Sequence, residues 1–361
     1  MKLALHEFEL PLKHPFTIAR GTVTSQPTLV VELGQDDKSG FGEATVNTFY
    51  AASLDDMKKR FTDIQSVISG YRLTDPVEFW ELCNKHLSDA PFMLSALDCA
   101  AHDLWGKLEG ASVHQLWGLD LTKAVPSSFT IGIDTIETMR SKLKEEPGWP
   151  VYKIKLGTRE DVQIVQALRQ DTEALFRVDA NCGWKGDEAV ALSCELSRQG
   201  VEFIEQPLAR DLDQVQERLF KDSVLPLIAD ESCVAETDVL SCVDRFHGVN
   251  IKLSKCGGLT PARRMITAAR DNGLKVMVGC MTESSVGISA AAQLAPLIDY
   301  ADLDGAVLLA QDTARGVEVD RGALVFPDFP GCGIHEFKGW SVILGNFCLQ
   351  NQLHQLAEIS R

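Results

Sequence analysis

Three stretches of the sequence decide the fold: VYKIKLG (151–157), LFRVDAN (175–181) and VEFIEQP (201–207). Each is a short apolar run that carries a charged residue near its end. Each is followed by a longer segment with the apolar spacing of an amphipathic helix. Runs of this length are typical of strands that are buried on both faces of a parallel sheet. The three stretches therefore predict strands that alternate with helices.

The same unit recurs through the rest of the chain. Five further runs match it, namely SSFTIGI (127–133), PLIADES (226–232), GVNIKLS (248–254), KVMVGCM (275–281) and YADLDGA (300–306). Eight such units with parallel crossovers predict an α/β fold, a closed TIM-type (β/α) barrel over 121–324. The alternative is an open doubly wound sheet, which usually carries a G-x-G-x-x-G loop after its first strand. The sequence contains no such loop.

The N-terminal third has a different pattern. Residues 1–50 alternate apolar and polar positions, which predicts a short antiparallel sheet with turns at 36–37 and 38–40. The stretch MLSALDCAAHDLWGKLEG (93–110) has helical spacing and ends on glycine. We therefore expect an α+β unit over 1–120. Proline and glycine after about 325 predict that segment 325–361 crosses back to this unit.

Composition excludes several classes of function. The chain has 361 residues and a formal net charge of −16, which disfavours nucleic acid and anionic membranes as partners because both need a basic face. No stretch approaches the roughly 20 apolar residues of a membrane span. The N-terminus does not resemble a signal peptide. The ten cysteines form no C-x-x-C pairs, which predicts reduced thiols in a cytoplasmic enzyme.

Charged residues end nearly every predicted barrel strand, although a charge buried in a barrel is costly unless it is paired or ligated. Active sites of such barrels lie at the carboxyl ends of the strands. The charged strand ends should therefore converge at one mouth. They are Lys153, Lys155, Asp179, Glu205, Asp230 and Lys252.

Three of these residues are acids from consecutive strands. Asp179, Glu205 and Asp230 would repel one another without a cation. Oxygen donors without histidine or thiolate suit a hard cation, most simply one Mg²⁺ per subunit. The alternative is that each acid pairs with a neighbouring lysine.

Two of the lysines come from opposite sides of the predicted barrel. Lys155 on the second strand and Lys252 on the sixth would meet a bound substrate from its two faces. Such a pair can move a proton on and off a carbon next to a carboxylate. Lys153 would add a further cation near that carboxylate. The alternative for Lys252 is a solvated lysine in a K-x-x-K loop.

The motifs YKIKLG, RVDANCGW, FIEQP, IADES and NIKLSKCGG together resemble the enolase superfamily, in its muconate-lactonizing-like branch. The resemblance covers almost the whole chain and implies a modified (β/α)7β barrel with a capping domain at 1–120. It implies Asp179, Glu205 and Asp230 as metal ligands and Lys155 and Lys252 as the acid/base pair. Barrels of this kind often assemble, so a homo-oligomer is compatible with it.

Within that branch, Asp302 and Asp304 resemble the D-x-D pair of dipeptide epimerases of the L-Ala-D/L-Glu type. In that family the pair binds the free ammonium group of a dipeptide, and the reaction inverts the α-carbon of the C-terminal residue. Two carboxylates beside a cationic site are explained by a positive ligand. The alternative is that one aspartate caps the next segment and the other is solvated.

The resemblance also implies further substrate contacts. A flexible loop near PFTIARGTV (15–23) would close over the substrate side chain, and Arg20 could contact an acidic one. Family position places four more residues toward the substrate, which are Thr130, Cys280, Thr282 and Glu283.

Three other functions remain open at this point. An o-succinylbenzoate synthase or N-acylamino acid racemase uses the same lysines and metal, and so does a muconate-type cycloisomerase. Neither explains the aspartate pair. The third alternative is a catalytically silent binding relative, which has no reason to keep two facing lysines.

Overall fold

The computed structural model describes residues 1–338. Its N-terminal part is a three-stranded antiparallel sheet covered by helices, as expected. The strands are β1 (Lys2–Ile18), β2 (Gly21–Gln35) and β3 (Lys38–Thr45). The helices are α1 (Leu54–Ser69), α2 (Pro76–Leu87), α3 (Pro91–Glu109) and α4 (Val113–Leu116).

Helix α3 is the predicted amphipathic segment, and it is buried on nearly all sides. It lies between the N-terminal sheet and the barrel, which explains why it needs no polar face. It begins at Pro91, whose fixed φ suits a first helical turn. It ends where Gly110 takes a left-handed φ of 69°.

One of the two predicted turns was wrong. The two-residue turn at 36–37 is present, with positive φ at both aspartates. Gln35 pairs directly with Lys38, so that β3 resumes at once and the segment 38–40 is strand. A two-residue connection leaves no room for a second turn.

The segment 15–23 is a paired hairpin rather than a loop. Phe16 pairs with Val23, and Ile18 pairs with Gly21, so β1 and β2 continue almost to their connection. Its threonines, isoleucine and valine favour extended backbone, which the sequence-based prediction of a flexible loop underweighted. The backbone oxygen of Thr17 accepts from the N–H of Ile133 at 2.8 Å and so ties the hairpin to the barrel.

The barrel contains eight parallel strands in chain order, as predicted. The strands are β4 (Phe129–Ile131), β5 (Val151–Lys155), β6 (Leu175–Asp179), β7 (Val201–Glu205), β8 (Leu227–Ala229), β9 (Gly248–Lys252), β10 (Lys275–Gly279) and β11 (Tyr300–Asp302). A single parallel bridge between Ser127 and Ala301 joins the last strand to the first. The barrel is therefore nearly closed.

Helices alternate with these strands. They are α5 (Ile136–Glu145), α6 (Asp161–Arg169), α7 (Gly186–Arg198), α8 (Asp213–Asp222), α9 (Asp238–Ser241), α10 (Leu253–Cys256), α11 (Leu259–Asp271) and α12 (Ser285–Ala292). Helix α11 shows the expected pattern, since Leu259, Ala262, Met265 and Ile266 lie on its buried face. The connection from β8 to β9 departs from the pattern, because it holds only the four-residue α9.

Buried carboxylates join the N-terminal part to the barrel. Asp98 in α3 accepts hydrogen bonds from the backbone N–H and the hydroxyl of Thr260, both at 2.8 Å. Glu43 in β3 accepts from the backbone N–H groups of Ser284 and Gly287 at the start of α12. A buried carboxylate at a helix N-terminus is stabilised there by the helix dipole.

After β11 the chain forms a small hairpin of β12 (Glu318–Asp320) and β13 (Ala323–Val325) and returns to the N-terminal part. The ring of Phe337 packs against Phe8 and Phe41 in the first sheet. The predicted return covers 325–361, and the part of it from residue 339 onward lies outside the described residues. The domain boundary near residue 120 stays a prediction.

Two general features of the described chain complete the fold. No helix within residues 1–338 combines the length and the apolar character needed to cross a membrane. The nine cysteines of this range are all free thiols.

Candidate active site

Three carboxylates meet at the mouth of the barrel. Asp179 ends β6, Glu205 ends β7 and Asp230 follows β8. Their ligand oxygens lie within 4.8 Å of one another, and all three residues are buried. Parallel strands bring their carboxyl ends to one edge, which explains how the repeat in the sequence collects these acids.

Burial and repulsion perturb this acidic triad of Asp179, Glu205 and Asp230. Burial, followed by the charge of Asp179, raises the pKa of Glu205 to about 7. Burial also acts to raise the pKa of Asp179, but the nearby lysines outweigh it and hold that pKa well below its ordinary value. Carboxylates that stay ionised only through neighbouring cations form a set that a divalent cation would neutralise.

Glu205 has one buried oxygen that accepts no hydrogen bond, although a lysine lies beside it. Its Oε1 accepts from Asn250 Nδ2 at 2.8 Å. Its Oε2 lies 2.7 Å from Lys153 Nζ, an ion-pair distance, but the geometry makes no hydrogen bond. This oxygen therefore has a cation beside it but no aligned donor, which is uncommon for a buried carboxylate oxygen. The acidic triad therefore fits a metal ion, which this oxygen of Glu205 would coordinate.

The two predicted acid/base lysines lie on opposite sides of the barrel, since β6, β7 and β8 separate β5 from β9 on one side. Lys155 Nζ donates to Asp179 Oδ2 at 2.7 Å. Lys252 Nζ lies 2.9 Å from Asp230 Oδ2. Burial acts to lower the pKa of Lys252, but the charge of Asp230 outweighs it and raises that pKa. A cation on the triad would weaken this effect.

Lys153 is more deeply buried than the other two lysines. Its Nζ donates to Asp302 Oδ2 at 2.7 Å and lies 3.2 Å from Asp179 Oδ2. The charge of Asp302 outweighs burial and raises the pKa of Lys153 well above its ordinary value. The side chain therefore joins the metal-site carboxylates to the aspartate pair. Its predicted contact with a substrate carboxylate stays a prediction.

Lys255 belongs to the same network and was missed by the sequence analysis. It is almost fully buried, and its Nζ donates to Asp230 Oδ1 at 2.6 Å and to the backbone oxygens of Cys233 and Asn250. The signal was the K-x-x-K spacing with Lys252, which places both lysines beside one strand end. The alternative of a solvated Lys252 was wrong, because that residue is 8% exposed.

Asp302 and Asp304 lie together at the end of β11, both buried. Asp302 accepts from Lys153 and from Ser128 Oγ at 2.7 Å. Asp304 accepts from the backbone N–H of Thr130 at 2.5 Å. Burial, followed by the charge of Asp302, raises the pKa of Asp304 to about 7. The alternative of a solvated aspartate was wrong, because both residues are buried. A bound ammonium group would offset the repulsion between the two carboxylates.

A cavity of about 520 Å³ opens above these groups. Barrel residues form its floor, among them Lys155, Lys252, Cys280, Thr282, Asp302 and Asp304. Residues of the β1–β2 hairpin and of the 46–50 loop form its roof, among them Phe16, Ile18, Arg20, Val23, Phe49 and Tyr50.

Of the four residues that family position placed toward the substrate, three line this cavity, and their contact with a substrate stays a prediction. Thr130, Cys280 and Thr282 line this cavity. Glu283 lies outside the cavity wall, buried, and its carboxylate accepts from the backbone N–H of Met281 at 2.8 Å. Burial raises the pKa of Glu283 to about 8. This side chain supports the loop after β10 instead of facing the substrate space.

Arg20 lies at the hairpin tip and already has partners. Its Nη1 donates to Glu231 Oε1 at 2.5 Å and to the backbone oxygen of Asn181 at 3.1 Å. Its guanidinium lies 4.3 Å from the ring centroid of Phe49. Glu231 is fully buried. The sequence analysis did not single it out, because it follows a metal-site acid and no local pattern predicts its contact with residue 20.

Tyr50 is a second residue that sequence reasoning missed. It comes from the loop between β3 and α1 and lines the cavity. Burial, followed by the charge of Asp230, raises its pKa, so its phenol group is neutral at neutral pH. Its only signal was an aromatic pair, Phe49-Tyr50, where the strand pattern ends.

Two family models match the chain. Residues 136–336 match the enolase C-terminal domain-like family, and residues 2–118 match the mandelate racemase / muconate lactonizing enzyme N-terminal domain. The chain belongs to the enolase superfamily.

Curated members of the superfamily include near relatives. An L-Ala-D/L-amino acid epimerase from Flavobacterium johnsoniae is 48% identical over 92% of this chain and 99% of its own length. A second enzyme of that name, from a Maribacter species, is 49% identical over the same shares of the two chains. The predicted family and its dipeptide epimerase branch are thereby confirmed.

A solved superfamily member has the same fold. A dipeptide epimerase from Cytophaga hutchinsonii, complexed with Mg and the dipeptide D-Ala-L-Val, superposes with a TM-score of 0.87 at 26% identity. The alignment covers 92% of this chain and 95% of that one. The barrel fold and the N-terminal sheet are therefore those of a known epimerase architecture.

Proposed function

We propose that this protein is a dipeptide epimerase that inverts the α-carbon of the C-terminal residue by moving a proton. The observation that carries the proposal is the combination of two lysines facing each other across the acidic triad with two buried aspartates beside them. The epimerase relatives support it, because they are similar over nearly the whole chain.

Asp179, Glu205 and Asp230 would hold one Mg²⁺, since they offer oxygen donors only. When bound, Mg²⁺ supplies the positive charge that an enediolate needs as the α-proton leaves. Lys153, 2.7 Å from Glu205, and Lys255, which donates to Asp230, would hold these carboxylates in place from behind.

Lys155 and Lys252 would act as the acid/base pair. One lysine, in its neutral form, takes the α-proton from one face of the substrate. The other, protonated, returns a proton to the opposite face, so that the configuration inverts. Their Nζ atoms already point at neighbouring acids of the floor, at 2.7 and 2.9 Å, which fixes where each proton is held.

Asp302 and Asp304 would bind the free ammonium group of the dipeptide. The geometry favours this use of Asp304 because its carboxylate has a backbone donor but no lysine at hydrogen-bond distance among residues 1–338. A free ammonium is the feature that separates dipeptides from N-acyl and N-succinyl amino acids. The pair therefore speaks against the synthase, racemase and cycloisomerase alternatives.

Two broader expectations belong to the same proposal. The free thiols of the described range are compatible with a reducing, cytoplasmic location. Homo-oligomeric assembly is compatible with the fold and stays a prediction.

The proposal is tested by proton exchange. The protein is incubated with Mg²⁺ and pooled L,L-dipeptides in D₂O, and deuterium is located by mass spectrometry. One deuterium at the C-terminal α-carbon is expected. Exchange only in N-succinyl or N-acyl amino acids would contradict the proposal and move the assignment to the racemase or synthase branch.

A further inference from the structure

We propose that the residue inverted by this enzyme carries an uncharged side chain, and that Arg20 positions the hairpin and does not receive an acidic substrate. The inference rests on the proposed epimerase function and names its substrate class. It reverses the expectation that Arg20 contacts a glutamate or aspartate side chain.

Within residues 1–338, every cation of the cavity wall is already paired with an acid. Three cationic side chains line it. Lys155 and Lys252 face Asp179 and Asp230 and belong to the reaction floor. The third is Arg20, whose Nη1 donates to Glu231 and to the backbone oxygen of Asn181, so that its charge is already paired.

The acid that pairs with Arg20 depends on it for its charge partner. Glu231 is fully buried, and its Oε2 has no hydrogen-bond partner. Its other oxygen accepts from Arg20 at 2.5 Å, with only a long 3.5 Å contact to Asn181 Nδ2 besides. If Arg20 turned to a substrate carboxylate, Glu231 would lose its charge partner in the protein interior, which is strongly unfavourable.

The rest of the roof is mainly apolar. Phe16, Ile18, Val23 and Phe49 line it together with neutral polar groups such as Gln26. The inverted carbon must lie over the floor between the two lysines, and the ammonium group lies toward the aspartates. The side chain of the inverted residue would therefore occupy the space under this apolar roof, where a charged group would have no partner.

In its observed position, Arg20 connects the hairpin tip to the barrel. Its bond to the backbone oxygen of Asn181 ties the hairpin tip to the loop after β6. At the same tip, a Cβ on Gly157 would lie 2.9 Å from the Cβ of Ala19, so the hairpin rests directly on the loop after β5. Arg20 therefore holds the roof over the floor.

The test compares two nearly isosteric substrates that differ in charge. The kcat/KM values for L-Ala-L-Gln and L-Ala-L-Glu are measured with Mg²⁺, and L-Ala-L-Leu serves as an apolar reference. The amide and the leucine dipeptide are each expected to exceed the acid by about tenfold or more. A preference for L-Ala-L-Glu over L-Ala-L-Gln would overturn the inference.

Three variants separate positioning from recognition. Arg20→Met should lower kcat/KM for both substrates by the same factor, leaving the Gln-to-Glu ratio within about twofold. Glu231→Gln should release Arg20 and shift the ratio toward L-Ala-L-Glu. Lys13→Met removes a cation of the same strand outside this cavity and should leave the ratio unchanged.

Two outcomes of the variant series decide the matter. If Arg20→Met selectively destroys activity on L-Ala-L-Glu, Arg20 is an acid receptor and the inference is wrong. If no dipeptide of any kind exchanges its α-proton, the proposed function fails and the inference falls with it. The first result leaves the epimerase standing, so the two failures are distinguishable.

Discussion

The floor and the roof of the cavity are built from opposite kinds of residue. The floor consists of charged strand ends that are buried and paired with one another, such as Lys153, which lies between Asp302 and the acidic triad. Apart from Arg20, whose charge is paired with Glu231, the roof residues named above are neutral, and two of them, Val23 and Phe49, are more than two-fifths exposed. The difference teaches that the reaction is fixed by rigid strand ends, whereas substrate choice depends on two surface segments.

The largest loss of activity is expected when either of the two floor lysines is replaced. Lys155→Ala and Lys252→Ala should each lower epimerisation by about a thousandfold or more, because each removes one acid/base group. One of them should still exchange the α-proton of a single stereoisomer. Deuterium incorporation from L,L- and L,D-dipeptides measures both effects. Lys275→Ala, at the start of β10 and the far end of the barrel, is the control. Full activity in both lysine variants would refute the two-base mechanism.

Metal removal tests the floor as a unit. Chelation with EDTA should abolish epimerisation and lower the melting temperature, because Mg²⁺ at a hundredfold excess over its Kd stabilises the folded state by about 2.7 kcal/mol. Differential scanning fluorimetry with and without Mg²⁺ measures the shift. Asp230→Asn should lose the shift, and Asp299→Asn, whose partners Arg270 and Lys275 lie away from the triad, should keep it. A wild-type protein that melts identically in both conditions would argue against a metal site.

The border between floor and roof is tested at the aspartate pair. The wild-type enzyme should prefer a free dipeptide over its N-acetyl form by about tenfold or more, since acetylation removes the charge that the pair binds. Asp304→Asn should reduce this preference mainly through KM. Steady-state kinetics on both substrates give the two ratios. Asp304 is not an ammonium receptor if the variant discriminates as well as the wild type.

A further expected effect concerns stability beneath the floor and not the reaction itself. Glu283 has a pKa raised to about 8 by burial, from an ordinary 4.5. A raised folded-state pKa means that its stabilising contribution is present below pH 4.5 and is lost as the pH rises through 8. Glu283→Gln has no proton to lose. Urea unfolding at pH 5, 7 and 9 measures the free energy of unfolding of both proteins. From pH 5 to pH 9, that of the variant should rise relative to that of the wild type by an amount on the order of a few kcal/mol. A gap that does not change with pH would show that Glu283 is ionised throughout.

The floor could be predicted from the sequence because its charged residues end the strands of a repeated strand-and-helix unit. A strand-and-helix repeat fixes which residues end strands, so Asp179, Glu205 and Asp230 could be predicted as neighbours without knowledge of any side-chain contact. The antiparallel sheet and α3 followed from alternation and helical spacing in the same way.

The roof was not accessible to that reasoning. The contact of Arg20 with Glu231 joins residues 211 positions apart, and no local pattern encodes it. The hairpin was taken for a flexible loop because the family resemblance implied one at 15–23, and its strand pairing was not considered. Lys255 was missed because K-x-x-K spacing is typical of solvated loops as well as of a buried cluster. What failed in each case was tertiary pairing, which periodicity does not describe.

The long-range bonds of helix α3 have a consequence for protein synthesis. Asp98 finds its partner Thr260 162 residues later in the chain, and Asp103 finds the N–H of Cys332 229 residues later. At about 5–20 residues per second, a ribosome needs roughly 10–45 s to deliver that second partner. During this interval the face of α3 that packs against the later parts of the chain lacks its final partners. The first third of the chain to be made is therefore the last part of the molecule to be finished.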